Sequence, residues 1–473
     1  MEPDEQRPGS QPAPELVARA GLGFSLDRSI TRGRPSSDAG SEPSAASPSI
    51  SSPTPGSRPN LESDEIKTPK TRSPGPRSRS CSSRPSPRNA CHSLFDNPAF
   101  SLVVIGSGGG PNEDDLSSYF LKAYQRSWPD GFVALEAGSG LGALSQLLKR
   151  ADHPFHDFEF DGSASPSNLP VISSEGHMTL TANSRLTENQ SSPSSPSIYQ
   201  RAAQIYRSLN AFLISHAHLD HLLSLILTAG ALNPLPPKSV WATEPTISLL
   251  IQFFNGGLWP KLADRSGTLP LWLRTLCTAS DAPSVSIGPS LSAKAFPLIH
   301  SPPSDSSPVY STAFLITNDL IGHQFAFFGD LSPDSLSAQQ MNRVVWQSVA
   351  AGFRRKQLRA VFIECSYSAS RPAHLLYGHL SPPYLFEELE CLARLVKPSS
   401  DSLKGVLTGL HVIIIHVKED ISPIVHLTTE INRGKVPLST RQLILREVLD
   451  LERERYQFGC TFWMANQGDR FEF

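Results

Sequence analysis

Cysteine pairs, long apolar runs and a strong charge of either sign are all scarce in this chain of 473 residues, and each scarcity argues against a class of protein. The six cysteines, Cys81, Cys91, Cys277, Cys365, Cys391 and Cys460, are scattered without Cys-x-x-Cys spacing. That pattern speaks against a disulfide framework and against a thiolate zinc site, and it fits reduced thiols inside a cell. No stretch reaches the roughly 18 apolar residues needed to span a bilayer, so no membrane span is expected. The opening residues, Met1 to Ser10, contain no apolar signal region. The cytoplasm is the expected location, with the nucleus as the alternative. A formal net charge of −2 argues against a broad nucleic-acid-binding surface.

What is present divides the chain in two. Residues 1–92 are crowded with Ser, Pro and Arg and hold few large apolar side chains. Such a composition buries too little surface to offset the entropy of ordering, so a disordered tail is expected. Basic residues gather in it at Lys67, Lys70, Arg72, Arg77, Arg79, Arg84 and Arg88, which reads as a solvated arm, a nuclear address or an attraction to anionic lipid. Ser-Pro and Thr-Pro pairs at Ser47, Ser52, Thr54, Thr68, Ser73 and Ser86 offer sites to proline-directed kinases.

Residues 93–473 are long enough for one sizeable core. Short Val-, Ile- and Phe-rich runs at 101–105, 132–135, 211–214, 240–242, 313–316, 325–328, 360–363 and 411–415 are bounded by turn residues and predict strands. Helical spacing predicts helices over 141–148, 222–231, 246–254, 337–351, 383–395 and 440–456. Strands interspersed with helices imply an α/β protein whose sheets are covered by helices. A polar, Ser- and Pro-laden stretch at about 161–197 reads as a surface insertion.

The chemistry concentrates at His216-Ala217-His218-Leu219-Asp220-His221, directly after the apolar run 211–214. In a strand-to-helix turn His216 and His218 share one side, while Asp220 and His221 project toward a second point. Three imidazoles and a carboxylate in a half-buried turn are costly without a cation, and this tetrad can begin two coordination spheres. Two metals need further ligands, and apolar runs end in suitable ones at His300, Asp330 and His416. A carboxylate at Asp330 is a natural bridge because each oxygen can hold one cation. His153, His156 and His374 have no such setting and read as ordinary solvated histidines.

The tetrad resembles the signature of the metallo-β-lactamase superfamily, and the string from Ser215 to Leu223 is similar to that of its cyclic nucleotide phosphodiesterase branch, the fungal-type class II enzymes. Further resemblances lie in Val103 to Pro111, in Asn255 with Trp259 and Pro260, and in Phe328-Gly329-Asp330. Ile363 to Ser366, Tyr377 to Pro382 and Ile415 to Lys418 complete the set. The resemblance covers nearly everything from about residue 100 onward. It implies an αββα sandwich with metals at one edge, and hydrolysis of 3′,5′-cyclic nucleotides to 5′-nucleotides. It also implies that His216, His218 and His300 hold one metal, Asp220, His221 and His416 the other, and Asp330 both, which makes Asp220 a ligand within the catalytic set. Zinc is the expected ion, manganese the alternative.

In the related tRNA 3′-processing nucleases a glutamate after a strand and a later His-Ser element resemble Glu364 and His379. There the histidine protonates the leaving oxygen, a role the resemblance extends to His379 held by Glu364; a structural histidine in a Gly-His turn is the alternative. The superfamily commonly ends its second strand in an aspartate that orients a metal-bound histidine, where this chain has Glu136. The glycines from Gly106 to Gly110 read as a tight strand-end loop or a phosphate contact. Two other functions are carried alongside: a tRNA-processing endonuclease on the same scaffold, and a non-catalytic cyclic-nucleotide sensor. The sequence leaves the oligomeric state open.

Overall fold

The computed structural model describes residues 91–160, 195–232, 236–301, 308–337, 339–419 and 438–473. The expected tail, with its basic cluster and kinase sites, and most of the expected insertion lie outside these residues. Among them the strands form two sheets. The first contains β1 (Cys91–Ser93), β2 (Phe100–Gly109), β3 (Leu116–Ala123), β4 (Phe132–Leu135), β5 (Leu209–Leu213), β6 (Lys238–Ala242), β7 (Ala263–Asp264), β8 (Leu271–Thr275) and β16 (Arg470–Glu472), in the order β1-β16-β2-β3-β4-β5-β6-β8-β7. The second contains β9 (Val285–Gly288), β10 (Leu291–Ile299), β11 (Tyr310–Asn318), β12 (Gln324–Phe328), β13 (Leu358–Glu364), β14 (His411–Ile415) and β15 (Thr461–Met464), in the order β15-β14-β13-β12-β11-β10-β9.

Alternation along the strands builds three apolar layers. Between the sheets lie Leu102, Val104, Ala211 and Leu213 from one side and Phe325, Phe327, Phe362, Ile413 and Ile415 from the other. The intervening residues Val103, Ile105, Phe212 and Ile214 turn outward. They pack against α1 (Leu141–Leu147), α2 (Ile198–Ser208), α3 (Leu219–Thr228) and α4 (Glu244–Phe253). On the far side Ala326, Phe328, Val361, Ile363, Val412 and Ile414 meet α5 (Asn342–Arg354), α6 (Pro382–Val396) and α7 (Thr440–Leu451). Strands buried on both faces must be apolar at every position, which is why these runs are continuous in the sequence. The result is the expected αββα sandwich. Among the described residues no helix is long and apolar enough to cross a membrane.

Several boundaries differ from the sequence-based expectation. The glycine stretch is largely strand, because β2 continues to Gly109 beside β3. The helix expected from residue 337 begins at Asn342: the Asp334 carboxylate accepts from the amides of Asn342 and Arg343 at 3.0 and 2.9 Å and so fixes its start. Strand β3 is absent from the strands that the sequence predicts. Its buried Ser117, Ser118 and Lys122 disguise it, and Lys122 is satisfied by the carbonyls of Tyr124 and Arg126 at 3.2 and 2.7 Å.

Candidate metal centre

Parallel pairing sends the C-terminal ends of β4 and β5 to one edge of the first sheet, and those of β12, β13 and β14 to one edge of the second. Strand β10, antiparallel to β11, which is antiparallel to β12, ends on that same edge. The residues that follow these ends are Glu136, His216, Asp330, His416 and His300, with Glu364 as the last residue of β13. Helix α3 starts at Leu219, so Asp220 and His221 stand in its first turn.

Seven side chains expected to bind metal come together in two groups that share Asp330. One holds His216, His218, His300 and Asp330, the other Asp220, His221, Asp330 and His416; within each, the ligand atoms lie within 4.8 Å of one another. Asp330 Oδ2 stands 3.3 Å from His221 Nε2 and from His416 Nε2, 3.7 Å from His300 Nε2 and 3.8 Å from His216 Nε2. His221 Nε2 and His416 Nε2 are 3.1 Å apart.

The opposite ring nitrogens are occupied by the protein. His300 Nδ1 donates to the Gly378 carbonyl at 2.8 Å, which fixes its proton there because a carbonyl only accepts. His216 Nδ1 meets Ser215 Oγ at 2.9 Å, and His416 Nδ1 meets Ser366 Oγ at 3.1 Å. His221 Nδ1 faces Glu136 Oε2 at 3.4 Å. His216, His300 and His416 are thus hydrogen-bonded from behind, and His221 faces a carboxylate there, the arrangement that outer partners give to metal-binding histidines.

This donor set fits divalent cations. Asp330 Oδ2 and His216 Nε2 are buried and, among the described residues, have no well-directed hydrogen-bond partner. Buried oxygen and nitrogen atoms left without directed partners are costly, and a cation between them supplies the missing contact. Burial first, and neighbouring histidines second, push His216 well below the ordinary histidine range, and burial also lowers His218 and brings His300 to about 3. These rings are neutral, as ligands must be. Burial opposes a charge on His221, but Asp330, Glu136 and Asp220 outweigh it and hold its proton well above the usual range.

Beside the two groups sits a buried pair. His379 Nδ1 lies 3.0 and 3.1 Å from the two oxygens of Glu364. The carboxylate also accepts from the amides of Leu331 at 2.9 Å and Leu380 at 3.3 Å. Burial, with the charge of Asp330, pushes Glu364 up to about 7, and burial holds His379 well below its ordinary value. His379 Nδ1 is 3.8 Å from Asp330 Oδ2, so the pair adjoins the ligands.

Two contributors, Ser366 and Lys418, carry no assigned role in the sequence reading, and a third, Gly109, is read there only as part of a strand-end loop or a phosphate contact. Ser366 donates to Glu364 and touches His416, joining the pair to the second ligand group. Lys418 Nζ lies 3.5 Å from Asp220 Oδ2 and donates to Gly109 O at 2.6 Å. Gly109 itself lies so close to His416 that a Cβ would collide with the ring. A serine two residues past a strand-end glutamate and a lysine two past a strand-end histidine were the available signals. His411 is at the opposite end of β14, where its Nδ1 accepts from Trp463 Nε1 at 3.1 Å. His153 pairs with Arg201, and His374 is exposed. Asn255 closes its own loop by accepting from Gly257 N at 2.7 Å.

The family model for cAMP phosphodiesterases class-II matches residues 173–468. A probable 3′,5′-cyclic-nucleotide phosphodiesterase of Yersinia pestis is 27% identical over 384 residues, spanning 80% of this chain and 91% of that protein. The 3′,5′-cyclic-nucleotide phosphodiesterase of Candida albicans is 26% identical over 433 residues, 78% of this chain and 99% of its own length. Unliganded yeast PDE1 superposes with a TM-score of 0.62 at 24% identity, covering 80% of this chain and 100% of that one, and so shares the fold.

Proposed function

Since the chain belongs to the class II cAMP phosphodiesterases, we propose that it hydrolyses 3′,5′-cyclic nucleotides to 5′-nucleotides at the Asp330 centre. The observation that carries this reading is the single buried Asp330 oxygen within 3.8 Å of the Nε2 atoms of His216, His221, His300 and His416. His216, His218 and His300 would hold one divalent cation, Asp220, His221 and His416 the other, with Asp330 shared. Bound there, the cations supply Lewis acidity toward the phosphoryl oxygens and acidify the attacking water. Zinc suits imidazole with carboxylate, and manganese is the alternative.

The chain's own part is to orient and to move a proton. Ser215, Gly378, Ser366 and Glu136 fix the four imidazoles from behind. His379, bound through Nδ1 to Glu364, passes a proton to O3′ as its bond to phosphorus breaks. Glu364, which burial and the charge of Asp330 push up to about 7, holds that imidazole through two contacts of 3.0 and 3.1 Å. The five described cysteines are free thiols, which supports a cytoplasmic location.

Supplying the chelated protein with zinc or manganese and then with cyclic AMP, cyclic GMP or precursor tRNA tests the reading. A 5′-nucleotide is the expected product. Release of a 3′-nucleotide would overturn protonation at O3′, and cleavage of the tRNA without turnover of either cyclic nucleotide would overturn the substrate class.

A further inference from the structure

Two residues before His379 the chain does something the metal centre does not require. Tyr377 holds φ at 51°, a left-handed conformation that a tyrosine adopts only against a steric cost, and the residue is 51% exposed. The guanidinium of Arg371 stacks on the Tyr367 ring at 4.0 Å and lies 5.7 Å from the Tyr377 ring. Arg371 is pinned there by its Nε donating to the Leu375 carbonyl at 2.8 Å. The Tyr367 ring in turn meets His379 edge-on, 5.9 Å between centroids. Tyr367, Arg371 and Tyr377 therefore form a chain of ring and guanidinium contacts that begins at His379 and ends at a half-exposed tyrosine.

The loop carrying that ring is firmly placed. Gly378 O accepts from His300 Nδ1, His379 N donates to Leu376 O at 3.0 Å, and Ser366 N donates to Leu380 O at 3.0 Å. The backbone next to Tyr377 is thus tied to the ligand His300 through Gly378, and Leu376 accepts from the amide of His379. An exposed aromatic in a strained backbone, held by the active-site residues themselves, is poised to meet something that enters the site.

We propose that Tyr377, backed by Arg371 and Tyr367, is the platform on which the base of the cyclic nucleotide stacks, an inference that rests on the cyclic-nucleotide reading above. The geometry follows from where the proton goes. O3′ belongs to the ribose that bears the base, so a proton donor at O3′ stands beside the sugar, and the base projects past it. The aromatic surface adjoining His379 lies where such a base would arrive. Every nucleobase has a π-face, and a guanidinium behind a ring strengthens stacking without reading hydrogen-bonding edges. The platform accordingly favours a base over none while discriminating little between adenine and guanine.

The test uses the metal-loaded full chain and compares cyclic AMP with the 3′,5′-cyclic phosphate of methyl β-D-riboside, which keeps sugar and phosphate but has no base. For Tyr377→Ala, kcat/KM on cyclic AMP should fall roughly 10–100-fold, mainly through KM, as loss of one stacked base implies. On the baseless substrate it should stay within about twofold of the wild type, since no stacking is lost there. Tyr377→Phe and Tyr377→Trp should restore cyclic AMP turnover. Tyr377→Leu, which keeps bulk but removes the π-face, supplies a second variant should the alanine form not fold. Equal losses on both substrates would make Tyr377 a structural prop for His379 and overturn the proposal, as would an unchanged KM for cyclic AMP. Failure of the wild type to turn over any cyclic nucleotide would instead bring down the substrate reading, and this platform with it.

Discussion

The Glu136 carboxylate stands 3.4 Å from His221 Nδ1, delivered by a backbone with φ at 60°. The left-handed turn directly after β4 thus brings this carboxylate to the outer side of His221. Its Oε2 also accepts from Ser215 N at 3.2 Å, which couples the carboxylate to the residue before His216.

Glu136→Gln should therefore weaken metal binding by roughly 10–100-fold, the usual effect of removing a partner behind a metal-binding histidine. Chelator competition followed by metal analysis reads this directly. An unchanged affinity would mean that Glu136 serves only the backbone of Ser215.

Asp330→Ala should abolish turnover and lower the content of both metals, because one carboxylate is shared by the two ligand groups. Loss of a single equivalent with the other still tightly bound would assign Asp330 to one site alone.

His379→Ala should keep both metals and lose about 10²–10⁴-fold in rate on cyclic AMP, the range for general acid catalysis. The defect should shrink on a nitrophenyl phosphodiester, whose leaving group needs no proton. His416→Ala should instead lose metal. Equal defects of His379→Ala on both substrates would return His379 to a structural role.

Gly109→Ala should disturb His416 although residue 109 makes no side-chain contact of its own, because a Cβ there collides with the imidazole. Overpacking of this kind costs about 1–3 kcal/mol. Urea unfolding should show that loss together with reduced metal occupancy, whereas Gly142→Ala, where a Cβ meets nothing within 4 Å, should show neither.

The tetrad His216, His218, Asp220 and His221 was legible because its geometry is local: a strand-to-helix turn sets the relative directions of six consecutive residues whatever surrounds them. His300, Asp330 and His416 were legible as polar residues closing apolar strands, and the doubly buried strands announced themselves by unbroken apolar runs. Tertiary structure alone decided the rest. Which nitrogen of each imidazole faces inward depends on Ser215, Gly378, Ser366 and Glu136. All but Ser215 lie far along the chain from the histidine each one holds, so no sequence window contains both partners. Strand β3 is hidden for a related reason: Lys122 can be buried there only because the carbonyls of Tyr124 and Arg126 accept from it. Side-chain type fixes what a residue can donate or accept, but burial and the partner it meets are properties of the assembled sheets, which set the cost of each buried polar group.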